Sequence, residues 1–283
     1  MQSVDWLNRG QELKENLSKA ERKEQKRKNR ELKQQRLADK NKAPIQNVLS
    51  EVPLKILCVK FGNKYGIDYV EKLRNMVSRH LTLDYEFVCL TDEPKPIDGV
   101  RTIYQRNAGY TKGWWHKVHM FDPDLPLSGR ILYFDLDVII HKNIDKIAQH
   151  RPDTFLGIRD FNRKFHPNWK NLNSSVLAWN FGTQNHLWET FKNGSAKAMR
   201  LHGDQDYIWK ETKGSIKFFP DNWIQSYKWE IRSKQELVVN KGKRIFRNID
   251  NNVKIHPECC VAVFHGEPNP ESIGDKFVID NWI

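Results

Sequence analysis

The stretch Ile131-Leu132-Tyr133-Phe134-Asp135-Leu136-Asp137-Val138-Ile139-Ile140 sets the strongest limit on how this chain folds. It is rich in Ile, Val, Tyr and Phe and reads as a buried strand. Two carboxylates interrupt it at positions i and i+2. Extended backbone alternates its side chains, so Asp135 and Asp137 are expected on one side of the strand. Carboxylates held side by side at the end of a buried strand repel each other and lose hydration. A hard divalent cation is the usual remedy. An isolated Asp-x-Asp also occurs in surface turns and helix caps. The weight therefore falls on its place behind an apolar run and on its company along the chain.

That company begins upstream. Leu54–Lys60 reads as a strand, Phe61–Gly66 as a loop, and about Asp68 to His80 as a helix. Tyr85–Leu90 is a second strand, ending in Thr91-Asp92-Glu93-Pro94, and Val100–Tyr104 a short third. A helix from about Lys112 to Phe121 precedes the Asp-x-Asp run. Strands alternating with helices predict an α/β fold with a mainly parallel sheet covered on both faces. Ligands of such sheets bind beyond the carboxyl ends of the strands. Lys60–Tyr65, Thr91-Asp92 and Asp135–Asp137 all fall at such ends. No G-x-G-x-x-G and no P-loop occurs, so dinucleotide and ATP readings lack their usual signature.

Charge divides the chain unevenly. Residues 1–42 carry thirteen Lys and Arg against seven Asp and Glu, and the rest carries thirty-four against twenty-eight, so half of the net +12 sits in a short tail. Residues 8–42 have high helix propensity. Residues 21–31 lack any apolar side chain except in the aliphatic stems of their charged groups, which excludes a sustained coiled coil. Residues 1–50 therefore read as a charged helical tail and linker, and residues 51–283 as one globular domain. The tail is a solubilising spacer in one reading and a weak membrane or nucleic-acid tether in the other. A mildly basic body suits an anionic substrate such as a nucleotide diphosphate. The rival reading is a basic nucleic-acid-binding protein or a metal-dependent nuclease. Without a metal, nucleic-acid binding leaves Asp135 and Asp137 repelling phosphate, and a two-metal nuclease needs further carboxylates.

Three later segments carry polar groups at strand or helix ends. In Asn171–Trp179, the residues Asn173, Ser174 and Ser175 lead into an apolar strand, either as sugar-binding groups or as an ordinary polar turn. In His202–Trp209, Gly203 precedes Asp204, Gln205 and Asp206, more polar groups than a helix cap requires. In Val261–Pro270, an apolar strand ends in His265-Gly266. Histidine there can complete a metal shell, and glycine lets a phosphate approach the backbone.

In this order FDLD, NSSV, GDQDYIW and FHGEP resemble a GT-A glycosyltransferase. The likeness is to glycosyltransferase family 8 and its bacterial and viral relatives, and it covers about residues 54–270. GWWHKVHMF, Gly113–Phe121, also resembles the segment before the metal motif in bacterial members. The resemblance implies a single GT-A, Rossmann-like domain. It further implies a UDP-hexose donor, a glycan or other hydroxyl acceptor, Mn²⁺ (or Mg²⁺), and transfer with retention. By position, Asp135, Asp137 and His265 would be metal ligands, Asp204 would hold the donor sugar, and Gln205 would stand near the anomeric carbon. Asp206 is the nearest carboxylate should the reaction invert. Lys117 would contact donor phosphate or sugar. Val59, Lys60, Phe61 and Tyr65 would meet the uridine, Tyr65 as a stacking ring, with Asp92, Leu136, Asn173, Ser174, Ser175 and Gly266 completing the donor site. The family's terminal H-x-x-G-x-x-K-P is altered here, because His265–Pro270 has no lysine. Lys228 is the candidate replacement, or else an ordinary surface lysine. The chain has no run of about 18 apolar residues, no apolar signal-peptide core at its start, and no C-x-x-C among Cys58, Cys89, Cys259 and Cys260. A reducing cytoplasm, bacterial or of a virus-infected host cell, is the expected compartment.

Overall fold

The computed structural model describes residues 53–105, 111–232, 235–240, 243–248 and 253–283. The expected tail, residues 1–50, lies outside the described residues. In chain order the strands are β1 (Leu54–Lys60), β2 (Glu86–Thr91), β3 (Arg101–Tyr104), β4 (Arg130–Phe134), β5 (Val138–Ile140), β6 (Leu156–Arg159), β7 (Leu172–Asn180), β8 (Lys217–Phe218), β9 (Ile224–Ser226), β10 (Gln235–Asn240), β11 (Lys243–Asn248) and β12 (Val261–Val263). A seven-stranded sheet runs β3-β2-β1-β4-β7-β6-β8. All of its strands point one way except β7, which is antiparallel to both neighbours. The expected α/β architecture with a mainly parallel sheet is therefore present.

The sheet is covered on both faces, which is why its central strands read as near-continuous apolar runs. Ile56, Cys58, Leu132 and Phe134 face one hydrophobic cluster, and Leu57, Val88, Ile131 and Tyr133 face the other. On the first face lies helix α1 (Ile67–His80), which buries Tyr69, Val70, Leu73, Met76 and Val77. That spacing is the apolar stripe of a surface helix. Each such side chain contributes roughly 1.5–3 kcal/mol on burial. Helix α2 (Asp145–Ala148) follows β5. On the second face lie helices α3 (Asn185–Ala198) and α4 (Asp204–Glu211). A terminal helix α5 (Lys276–Asn281) packs its Val278 into the first cluster. Cys58 and Cys89 stand opposite each other on β1 and β2, buried as free thiols, and Cys259 and Cys260 are likewise free and buried.

Two expectations change. First, the helix over Gly113–Phe121 is a three-ten helix. With three residues per turn, side chains at i and i+3 eclipse. Trp115, Val118 and Phe121 accordingly share one column, and all three are buried in the second cluster. Second, Ile131–Ile140 is not one strand. β4 ends at Phe134, the backbone turns at Leu136-Asp137, and Val138–Ile140 join a second sheet ordered β5-β12-β9. The Asp135 N–H still donates to the Ser175 carbonyl at 2.8 Å, as though the first sheet continued, whereas the Asp137 carbonyl accepts from Phe264 N–H at 3.1 Å. The two aspartates thus straddle the switch between sheets, and strand pleating does not set their relation.

The start of β4 is fixed by Gly129, whose φ of +75° is costly for any residue with a β-carbon. A β-carbon there would also stand 2.1 Å from the Pro53 carbonyl oxygen, which accepts the Arg130 N–H. At Gly62 φ is +65°, but nothing lies within 4 Å of an added β-carbon. Gly129→Ala should therefore cost more than Gly62→Ala in urea unfolding, about 3 kcal/mol against about 1 kcal/mol. Equal losses would mean that the backbone contact with Pro53 is unimportant.

Candidate active site

The carboxyl ends of β1 and β4 open on a cleft of about 380 Å³ lined by Val59, Phe61, Lys64, Tyr65, Gly113, Trp114, His116, Lys117, Tyr133, Asp135, Leu136 and Asp137. The reversed β7 explains a further neighbour. Because Phe134 pairs with Val176, the beginning of β7 meets the end of β4, and this brings Asn173-Ser174-Ser175 to the same edge. A strand running the usual way would have carried those residues to the far end of the sheet.

Lys117 is the centre of the arrangement. Its ammonium lies 2.9 Å from Asp135 Oδ1 and 3.2 Å from Asp204 Oδ2, and donates to Ser174 Oγ at 3.1 Å. Ser174 in turn donates to Asp204 Oδ2 at 2.6 Å, and the Tyr133 hydroxyl donates to Asp135 Oδ1 at 2.5 Å. Lys117 and Asp204 are both buried. Burial alone would lower the lysine pKa, but the Asp135 and Asp204 carboxylates outweigh it and hold the pKa above its ordinary value. Asp204 sits at the start of α4, where the helix N-terminus also favours negative charge.

Asp137 is buried beside this cluster and accepts a hydrogen bond from Tyr65 Oη at 2.8 Å. Burial, with the Asp135 charge adding to it, pushes its carboxyl up to about 7. Burial and Asp137 together raise the Tyr65 hydroxyl, which keeps it a donor. Asp135, Asp137 and Asp204 face a single buried ammonium, so the pocket is rich in oxygen and short of positive charge. Oxygen donors of this kind suit a hard divalent ion.

His265 stands apart from the carboxylates. β12 ends next to the turn, yet the imidazole Nε2 is 2.7 Å from Ser226 Oγ, and the ring stacks on Phe161 with centroids 5.0 Å apart. Burial, with Lys228 and Arg163 adding to it, lowers its pKa to about 3, so the ring is neutral at working pH. Among the described residues no group of three or more His, Cys, Asp or Glu side chains is placed to hold a metal ion. Asp135 and Asp137 are the carboxylates left beside the cleft as possible oxygen donors, and the full expected triad is not gathered. The nuclease reading, which needs still more carboxylates, finds no support.

Of the remaining expected residues, Val59, Phe61 and Leu136 line the cleft. Lys60 and Asp92 instead shape the first loop: Lys60 Nζ donates to the Gly62 carbonyl at 3.0 Å, and Gly62 N–H donates to Asp92 Oδ2 at 3.0 Å. Asn173 Oδ1 accepts from Ser175 N–H at 3.1 Å. Gln205 and Asp206 follow Asp204 on the first turn of α4, outside the cleft lining. Lys228 Nζ donates to the Glu267 carbonyl at 3.3 Å and lies 3.4 Å from where a β-carbon on Gly266 would project. The loop that lacks its own lysine thus has one beside it. Sequence reasoning did not single out Tyr133, Lys64, His116 or Trp114. Tyr133 was accessible, two residues before Asp135 on a period-two strand. The others depend on the path of a loop and on the three-ten turn.

No family model matches the chain, and no curated protein matches its sequence. Solved structures do. An active-site mutant of LgtC aligns with TM-score 0.56 at 12% identity, over 80% of this chain and 93% of that one. The glycosyltransferase GlyE of Streptococcus pneumoniae TIGR4 aligns with TM-score 0.54 at 12% identity, over 79% of this chain and 57% of that one. WbbM, a bifunctional glycosyltransferase, aligns with TM-score 0.51 at 14% identity, over 81% of this chain and 48% of that one. No helix among the described residues is long and apolar enough to cross a membrane. The order of the strands and these alignments together give the chain a GT-A-like glycosyltransferase fold.

Proposed function

We propose that this protein transfers a sugar, a hexose in the simplest case, from a UDP-sugar to a hydroxyl of a glycan or other acceptor, with retention at the anomeric carbon. The observation that carries the reading is the Lys117 cluster, in which one ammonium ties together Asp135, Ser174 and Asp204 at the carboxyl edge of a GT-A-like sheet. Asp135 and Asp137 would hold Mn²⁺, or Mg²⁺ in its place. When bound, the ion supplies positive charge for the diphosphate leaving group. His265 would join them only by turning away from Ser226.

The chain's own groups account for the rest. Lys117 and Ser174 orient Asp204, so its carboxylate can accept hydrogen bonds from the hydroxyls of the donor sugar. Gln205, uncharged and a poor nucleophile, would stand near the anomeric carbon, where positive charge grows as the bond breaks. The departing phosphate oxygen takes the acceptor proton, so no strong protein base is required. Lys228 and the bare backbone at Gly266 would receive the diphosphate in place of the missing loop lysine. Phe61 and Tyr65, at the end of β1, would flank the uridine.

Three outcomes test this reading. In a melting experiment, UDP with Mn²⁺ at a hundredfold excess over Kd should stabilise the protein by about 2.7 kcal/mol and raise Tm by roughly 5–10 °C. No shift with any nucleotide sugar, with or without metal, would remove the proposal. Asp137→Ala should abolish metal-dependent UDP release, by about 100-fold or more, while leaving Tm nearly unchanged. Normal turnover in that variant would sink the metal assignment. Gln205→Ala should slow transfer about 10- to 100-fold with little change in UDP affinity, measured by titration calorimetry. A parallel fall in affinity would instead make Gln205 a binding residue.

A further inference from the structure

The paired tryptophans at the start of the three-ten helix have opposite fates. Trp115 is 5% exposed and stacks against Phe191, with centroids 5.7 Å apart. Trp114 is 58% exposed, although it lines the cleft. A bulky indole left in water on a cleft wall calls for a ligand more than for a packing role.

Its position is built. Gly113, immediately before it, has φ of +55° with open space around it, so the glycine is required by backbone conformation and not by crowding. The three-ten turn then places Trp114 three residues before Lys117, in the same eclipsed column. The indole nitrogen stands 3.6 Å from where a β-carbon on Gly203 would project, one residue before Asp204. Trp114 therefore forms a rim directly outside the buried Lys117–Asp204 pair.

The geometry points to Trp114 as the platform on which the pyranose ring of a carbohydrate acceptor stacks. This rests on the transferase reading above and narrows its acceptor from any hydroxyl compound to a sugar. The donor must reach Lys117 and Asp204, on the inner side of the rim. The acceptor comes from the solvent side and has to bring a hydroxyl beside the departing phosphate oxygen, which takes its proton. An indole face next to Gly203 meets the apolar C–H face of a pyranose and leaves its equatorial hydroxyls free to turn inward.

The test uses the full chain with ¹⁵N-labelled tryptophan. The Trp114 indole N–H signal is assigned by its absence in Trp114→Phe. Titration with methyl glucosides, galactosides and N-acetylglucosaminides, in the presence of UDP and Mn²⁺, should shift that signal. UDP and Mn²⁺ alone should shift it less. With UDP-glucose and UDP-galactose as donors, Trp114→Ala should lose transfer to these acceptors about tenfold more than it loses donor hydrolysis. Trp114→Phe, which keeps a ring, should recover most of the difference. A silent Trp114 signal with every pyranoside overturns the proposal. So does a Trp114→Ala variant whose hydrolysis and transfer fall together, since that marks a donor contact or a folding defect. Sugar-induced shifts without any transfer would uphold the platform while removing the transferase reading.

Discussion

One buried ammonium holds the site together. Lys117 comes from a three-ten helix, Asp135 from the end of β4, Ser174 from the start of β7 and Asp204 from the start of α4, and all of them meet at its Nζ. Desolvating a lysine is costly unless the pairing is good, and here two carboxylates and a hydroxyl supply it. Deleting one member of such a set strands the others, so the pair does more to fix geometry than to add net stability. Beside this cluster Asp137 is buried, with Lys117 and the exposed Lys64 as the cations acting on it. That is the electrostatic setting a diphosphate with its cation would complete.

The switch between two sheets at the Asp-x-Asp serves the same end. A continuous strand would set Asp135 and Asp137 on one side by its pleat alone. Instead β4 stops, the chain turns, and β5 begins a separate sheet with β12 and β9. This brings the end of β12 beside the turn, where Phe264 N–H donates to the Asp137 carbonyl. Tyr65, reaching from the loop before α1, closes the remaining side through its bond to Asp137.

Much of this was legible in the sequence, and the exceptions have physical reasons. The central strands announced themselves because burial on both faces leaves long apolar runs. Polar groups at their carboxyl ends, Asp135 and Asp137 among them, are legible as strand-end residues, and both line the cleft. The sheet switch was hidden because Val138–Ile140 is as buried as Ile131–Phe134, and periodicity cannot tell one buried strand from two. The reversal of β7 was invisible for a similar reason, since an apolar strand reads alike in either direction. The eclipsed column that pairs Trp114 with Lys117 follows from three residues per turn, whereas an α-helical reading spaces residues at 3.6. His265 was legible as a strand-end residue, but its engagement with Ser226 depends on β9, which no pattern linked to it.

The strand order also dictates when the site can form during synthesis. β1 sits between β2 and β4, and β4 needs β7, so neighbours in space are separated by long stretches of chain. Contacts so distant in sequence are slow to close and leave apolar edges waiting. A ribosome that has released β1 through β5 has produced Lys117 and Asp135, but neither Ser174 nor Asp204 to enclose them. Until β7 has emerged, the half-built sheet keeps β4 as an open edge. An unpaired apolar edge of that kind is where a nascent chain is most open to wrong pairing.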